Sequence, residues 1–146
     1  MRDFLDTSVL VAAFNTSHRH HQPSFELLRR CGKNHACCGG HSLAEVYATL
    51  TGMPAPHRAD PDHVMLFIKD LRDRLSLVAL DEREYFQTLE DSAAAGLTSG
   101  AIYDSLLGHC ALKAGAKTIY TWNTKDFLRL PPSIASRVKT PDQAGI

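Results

Sequence analysis

Four carboxylates, Asp6, Glu45, Asp104 and Asp126, stand where chemistry is conceivable. Asp6 follows the apolar pair Phe4-Leu5 and precedes the apolar run Val9 to Phe14, at what reads as the end of a strand and the start of a helix. Asp is a favoured N-cap, and Asp6-Thr7-Ser8 offers three capping residues in a row, so capping by itself accounts for Asp6. Asp104 is harder to dismiss, being the only acid between Ala101 and Leu112 in a stretch rich in Ile, Leu, Cys and Ala. A carboxylate on a buried helix must be paired, hydrogen-bonded, protonated or metal-bound, because an isolated buried charge is too costly. An Asp near a helix start, turned outward or bonding first-turn N–H groups, explains it equally well. Glu45 flanks the stripe Leu43, Val46, Tyr47 and Leu50, and Ser42 three residues earlier would complete a capping box with it. Asp126, in "TWNTKDF", sits in a turn, where Asp and Asn are ordinary.

Each acid alone thus has a structural use. Those uses do not predict that several acids should lie at corresponding places, a strand end or an early turn of a helix packed on a sheet. Carboxylates brought together repel, and their pKa values rise unless cations are bound. Oxygen ligands without Cys or His select Mg²⁺ or Mn²⁺. Such ions suit phosphoryl chemistry, supplying a nucleophilic hydroxide and offsetting phosphate charge.

The elements that must position these acids are legible as alternating strands and helices. Arg2 to Asp6 reads as a buried strand and Ser8 to Phe14 as a helix. "NTSHRHHQP" breaks the pattern, and "SFELLRRCG" reads as a second helix closed by Gly32. "HACCGG" is a small-residue strand, followed by a helix with Ser42 at its N-cap. "GMPAPHRADP" is a loop. Val64, Phe67, Ile68, Leu71 and Leu75 mark one helical face. "SLVAL" is a strand, "DEREYFQTLEDSAAAGL" a helix with acids in its first turn, and "AIYDSLLGHCALKAGA" a buried helix ended by Gly115. "KTIYTW" is a strand, "TKDFLRLPP" a turn or short helix, and "RVKT" an edge strand. Short β-branched strands alternating with helices argue for an α/β fold with a mostly parallel sheet covered on both faces. Ligands in such folds bind beyond the carboxyl ends of the strands, which is where Asp6 and the residues after "TIYT" fall.

At 146 residues the chain (1–146) is expected to form one domain. Its sixteen basic and sixteen acidic residues cancel, so its overall field points to no nucleic-acid partner, though charge segregated into a cleft and its rim would. No run approaches the ~20 apolar residues that span a bilayer, and Val9 to Phe14 is too short for a signal peptide. The chain is therefore expected in the cytoplasm. Cys31, Cys37, Cys38 and Cys110 form no spaced framework and read as small buried hydrophobes of a reducing compartment.

The segments "FLDTSVLVAAF", "SLAEVYATL", "GAIYDSLLGHCALKAGA" and "TIYTWNTKDF", in that order and spacing, resemble the PIN-domain ribonucleases, specifically the VapC-like toxins of toxin–antitoxin pairs. The likeness runs from Phe4 to Phe127. It implies a PIN-like α/β/α sandwich and a Mg²⁺- or Mn²⁺-dependent endoribonuclease. Asp6, Glu45 and Asp104 match the family's acids, which hold metal and position the attacking water. For the fourth acid many PIN domains carry Asp where this chain has Asn123; here Asp126 supplies the nearby carboxylate, in an "N-x-x-D-F" form shared by many such toxins. Thr121 and Ser8 or Thr7 are supporting hydroxyls, and Lys125 and Arg129 are the preferred candidates to hold an RNA backbone. The resemblance further implies hydrolysis to a 5′-phosphate and a 3′-hydroxyl without use of the RNA 2′-OH, a homodimer, and a VapB-like antitoxin whose tail covers the site.

Other constellations carry less. His18, His20 and His21 lie in a polar connection with no Cys pair at finger spacing, which argues against zinc. Cys37 and Cys38 alternate along a strand without a protease context. Gly39-Gly40 precedes a helix without any phosphate-loop motif. Two other functions compete: a PIN-like RNA- or protein-binding module that no longer cuts, which Asn123 keeps open, and a haloacid-dehalogenase-type phosphatase. The phosphatase needs a second Asp two residues after the first, where Ser8 stands.

Overall fold

The computed structural model describes residues 1–145. Five strands, β1 (Asp3–Leu5), β2 (Ala36–Gly39), β3 (Ser76–Val78), β4 (Thr118–Tyr120) and β5 (Val138–Lys139), form one sheet in the order β3-β2-β1-β4-β5. Every pairing is parallel, as short strands separated by helices require. The helices are α1 (Thr7–Phe14), α2 (His21–Arg29), α3 (Gly40–Thr51), α4 (Pro61–Arg74), α5 (Glu82–Ala94), α6 (Ala101–Lys113), α7 (Thr124–Phe127) and α8 (Pro132–Ala135).

Strand alternation divides the core in two. Leu5, Cys38 and Tyr120 point to one face, where they meet Val9 and Leu10 of α1, Leu27 and Leu28 of α2, Val46 and Leu50 of α3, and Val64 and Leu71 of α4. Phe4, Cys37 and Ile119 point to the other, against Leu107, Cys110 and Ala111 of α6, Phe127 of α7 and Ile134 of α8. Both faces of the sheet are thus covered, which gives the sandwich. Cys37, Cys38 and Cys110 are buried and all four cysteines are free. Burial pushes the thiols of Cys31, Cys37 and Cys38 up to about 12 and that of Cys110 to about 11, so none is a nucleophile at neutral pH. No helix among the described residues is long and apolar enough to cross a membrane.

Three expected details differ. The capping box at Ser42 does not form: α3 begins three residues earlier, with Gly39 at its N-cap, and Ser42 is a fully buried first-turn residue. A Cβ at Gly39 would stand 2.6 Å from Leu107 Cδ2, so the glycine leaves room for that side chain of α6. Tyr47 lies off the buried stripe at 38% exposure, while Val46 and Leu50 are buried. The second helix starts at His21 rather than after Pro23 and ends at Arg29. A proline in the first turn lacks an N–H that would have had no intrahelical partner, so Pro23 does not delay the helix.

β1 is joined through α1 and α2 to β2 on one side, while β4 arrives on its other side after α6. The chain direction therefore diverges between β1 and β4, opening a crevice at their carboxyl ends. Asp6 and Thr121 are the residues that follow those two ends.

Candidate active site

Asp6 is both a cap and a buried carboxylate. Its side chain accepts from Ser8 N–H at 3.4 Å, as an N-cap should, yet the residue is only 2% exposed. Its Oδ2 also accepts from Ser8 Oγ and from Thr121 Oγ1, each at 2.8 Å. The backbone ties the same two strands together, Asp6 N–H donating to Tyr120 O at 2.9 Å. Burial raises the Asp6 carboxyl above its usual range, and the hydroxyl and amide donors offset part of that rise.

Asp6, Glu45 and Asp104 line one cavity of about 470 Å³, together with Thr7, Ser8, Trp122 and Asn123. Three elements converge there: the β1–α1 junction brings Asp6, the second turn of α3 brings Glu45, and the first turn of α6 brings Asp104. Thr7 Oγ1 lies within hydrogen-bond reach of Glu45 Oε1 at 3.0 Å and Ser42 Oγ at 2.9 Å, its single proton shared between the two. Burial raises the Glu45 carboxyl, with Thr7 and His41 pulling it down and Asp6 pushing it up. Asp104 is raised as well: burial, then the charges of Asp6, Asp126 and Glu45, push it up to about 7, with Arg129 opposing. Its place on α6 is not explained by first-turn bonding, since its perturbation comes from burial and repulsion.

Asp126 is placed differently. It lies with Asp104 and Arg129 on an adjoining cavity of about 700 Å³ and accepts from Arg129 Nη2 at 2.9 Å. Asn123, not Asp126, reaches the first cavity, and Asp104 borders both. Lys125 is exposed and lines neither. The structure thus brings together Asp6, Glu45, Asp104, Ser8 and Asn123 as a wall, sets Asp126 and Arg129 beside them, and leaves Lys125 outside. Thr121 is fully buried behind Asp6, so its hydroxyl supports the carboxylate.

Among the described residues no three His, Cys, Asp or Glu side chains stand close enough to share one ion directly. This is compatible with Mg²⁺, which keeps several waters and takes only one or two carboxylates. The donor chemistry fits such a cation: carboxylates and hydroxyls without sulfur, around an acid that burial, and then its acidic neighbours, raise to about 7.

Part of the wall carries no clear mark in the sequence. Ser42 stands behind the wall rather than in it, its buried Oγ 2.9 Å from Thr7 Oγ1, and nothing local distinguishes a capping hydroxyl from such a buried one. Trp122, the only tryptophan of the chain, stands directly after "TIYT" and so at a strand end, a signal that was available. His18, Arg19 and His20 line the cavity from the connection before α2, which no periodicity could place.

Comparison with known proteins agrees with this geometry. Residues 4–131 match the family model for the PIN domain. The chain is 38% identical over 114 residues to Ribonuclease VapC40 of Mycobacterium tuberculosis, a match covering 78% of this chain and 81% of that protein. Among solved structures, VapBC2 from Rickettsia felis, bound to a DNA fragment from its promoter, superposes with a TM-score of 0.65 at 20% identity, over 96% of this chain and 98% of that one. VapC20 of Mycobacterium tuberculosis, a sarcin–ricin-loop-cleaving toxin, gives 0.66 at 15% identity, over 80% and 86%. The parallel five-stranded sheet, the acids at its carboxyl edge and these likenesses have one reading: the chain belongs to the PIN-domain family.

Proposed function

We propose that this protein is the toxin of a toxin–antitoxin pair and an endoribonuclease, its residues 1–146 acting as one PIN domain. The observation that carries the proposal is the meeting of Asp6, Glu45 and Asp104 on one cavity at the carboxyl edge of the sheet. Identity to a VapC ribonuclease over most of the chain supports the choice of RNA as substrate. A bound Mg²⁺ or Mn²⁺ would supply an activated water and offset the phosphate's charge. Asp6, Asp104 and Glu45 are the residues to hold it, with Asp126 contributing charge from the adjoining cavity. Ser8 and Thr121 keep the Asp6 carboxylate in place, and Thr7 does the same for Glu45. Asn123 presents an uncharged amide where a phosphate oxygen or a water would lie. The expected products carry a 5′-phosphate and a 3′-hydroxyl.

The partner is a small VapB-like antitoxin; one of the structural relatives is itself a VapBC pair. An antitoxin Arg or Lys entering the cavity would compete for the same carboxylates that take the metal. A homodimer is also expected, and the exposed Tyr85, Phe86 and Leu89 of α5 are an apolar surface that a second copy would cover. Cellular RNA and the four free cysteines both fit the cytoplasm.

The test is cleavage of labelled single-stranded and structured RNAs by antitoxin-free protein in Mn²⁺, Mg²⁺ or EDTA, beside Asp6→Asn and Asp104→Asn. Discrete cuts that need metal, and that fall at least a hundredfold in both folded variants, are expected. Equal cutting by the variants would place the activity elsewhere. Tight metal binding without cleavage of any RNA would favour the binding-module reading.

A further inference from the structure

The segment His18-Arg19-His20 has no part in the chemistry above, yet it forms a wall of the acidic cavity together with Trp122. The His20 ring stacks on the Trp122 indole, with centroids 3.7 Å apart and planes within 6°. Trp122 is itself held at two points. Its Nε1–H donates to the fully buried Ser24 Oγ at 2.8 Å, and its backbone N–H donates to Ser8 Oγ at 2.9 Å. That Ser8 hydroxyl is the one that donates to Asp6. The stack and the carboxylate therefore share one rigid frame.

Arg19 is pre-aimed by the same stack. Its Nε–H donates to His20 Nε2 at 3.0 Å, which sets the imidazole proton on Nδ1 and leaves the guanidinium's terminal amino groups for another partner. The backbone is pinned as well, His20 N–H donating to His18 Nδ1 at 3.0 Å. Arg19 is the only Arg or Lys among the described residues lining this cavity, and it is exposed, while His20 keeps part of its surface open. Among the described residues no carboxylate pairs with it.

A packing role leaves these features unexplained, because a solvent-facing guanidinium oriented by a stacked ring adds nothing to the core. A polyanion entering this cavity explains them. Three acids repel its phosphates, so a fixed cation at the rim is needed to hold one, and a guanidinium offers a planar fork to phosphate oxygens. Unpaired RNA bases are held by stacking on aromatic rings, which is tolerant of sequence.

We propose that His20, stacked on Trp122, is a platform for an unpaired RNA base beside the cut phosphodiester, and that Arg19 clamps an adjacent phosphate. This rests on the ribonuclease reading, and makes the substrate at the cut single-stranded, as in a loop or bulge.

Because Trp122 is the only tryptophan, indole fluorescence reports on the cavity wall where the platform stands. Hexauridylate, and a counterpart lacking bases, are titrated into the full chain with Ca²⁺ replacing Mg²⁺ to suppress cutting. Cleavage of a labelled loop-containing RNA in Mn²⁺ is followed separately for KM and kcat. Hexauridylate is expected to change Trp122 emission. Arg19→Ala is expected to weaken binding of both probes about tenfold and to lower the salt slope by about 0.7. His20→Ala is expected to weaken hexauridylate about tenfold while leaving the baseless probe unchanged, and both variants should raise KM more than they lower kcat. If the wild type cuts RNA while Trp122 emission is silent and both variants keep the wild-type KM, the platform is overturned and the nuclease stands. If nothing is cut but the binding pattern holds, the nuclease reading falls, and His20 and Arg19 stand as an RNA-binding site with no cut beside it. Failure of both cutting and binding overturns both.

Discussion

Asp6 and Asp104 show how one residue serves structure and chemistry at once. Asp6 caps α1 by accepting from Ser8 N–H, and two further bonds, from the hydroxyls of Ser8 and Thr121, hold the same carboxylate at the cavity wall. Asp104 caps nothing, and its cost is visible as a carboxyl raised from 3.8 to about 7. A carboxyl whose folded pKa lies above its unfolded one favours the folded state fully below the unfolded value, and that contribution disappears as pH rises through the folded value. Metal-free protein is therefore expected to lose stability between pH ~4 and ~7. After solvent screening of a half-buried group the loss is about 1–2 kcal/mol, or about 2–8 °C in Tm for a chain of this size. Calorimetry in EDTA across that range checks it. Asp104→Asn should flatten the profile, and Mn²⁺ at pH 8 should raise the Tm of the wild type more than that of the variant. A variant profile as steep as the wild type's would mean that other acids carry the pH dependence.

At the scale of elements, the periodic stretches were readable from sequence and the junctions were not. The face of α4 follows from its apolar spacing, and α6, apolar nearly all round, reads as a buried helix; the strands around Phe4-Leu5 and "TIYT" are legible, although each reads longer than the three residues it spans. What no local pattern reveals is which helix turns meet. Glu45 on α3 meets Thr7 on α1 across 38 residues of chain. The His-rich segment has no local pattern to place it either: His20 meets Trp122, a contact across more than 100 residues. The seating of α6 should be sensitive. At Gly108 a Cβ would meet Ile134 Cδ1 at 2.9 Å and Cγ2 at 3.0 Å, with Leu130 Cδ1 at 3.4 Å. Ile134 is fully buried and β-branched, so rotating its end does not clear the Cγ2 contact. Gly108→Ala is expected to cost about 1–3 kcal/mol by overpacking. Urea unfolding measures this, and an unchanged midpoint would show that α8 yields freely.

For the whole molecule, neutrality sets how RNA must be engaged. With sixteen basic and sixteen acidic residues the chain has no long-range field to draw a polyanion, and its cavity wall is acidic. Binding must then come from a few local contacts, unlike a basic nucleic-acid protein that neutralises many phosphates. Arg19 on the first cavity and Arg129 on the second are the cations placed to do so. Arg129 is already engaged by Asp126, which weakens its claim on a phosphate. Each phosphate neutralised on a single strand contributes about −0.7 to the slope of log K against log salt. One to two contacts therefore predict a slope of about −0.7 to −1.4 for an unstructured oligonucleotide, measurable by fluorescence between about 50 and 200 mM salt. A slope steeper than about −3, equivalent to four or more phosphates, would reveal a basic surface beyond these two cavities. A shallow slope would instead make stacking and the metal the main sources of affinity, and selectivity among RNAs would then follow the shape and exposure of their loops.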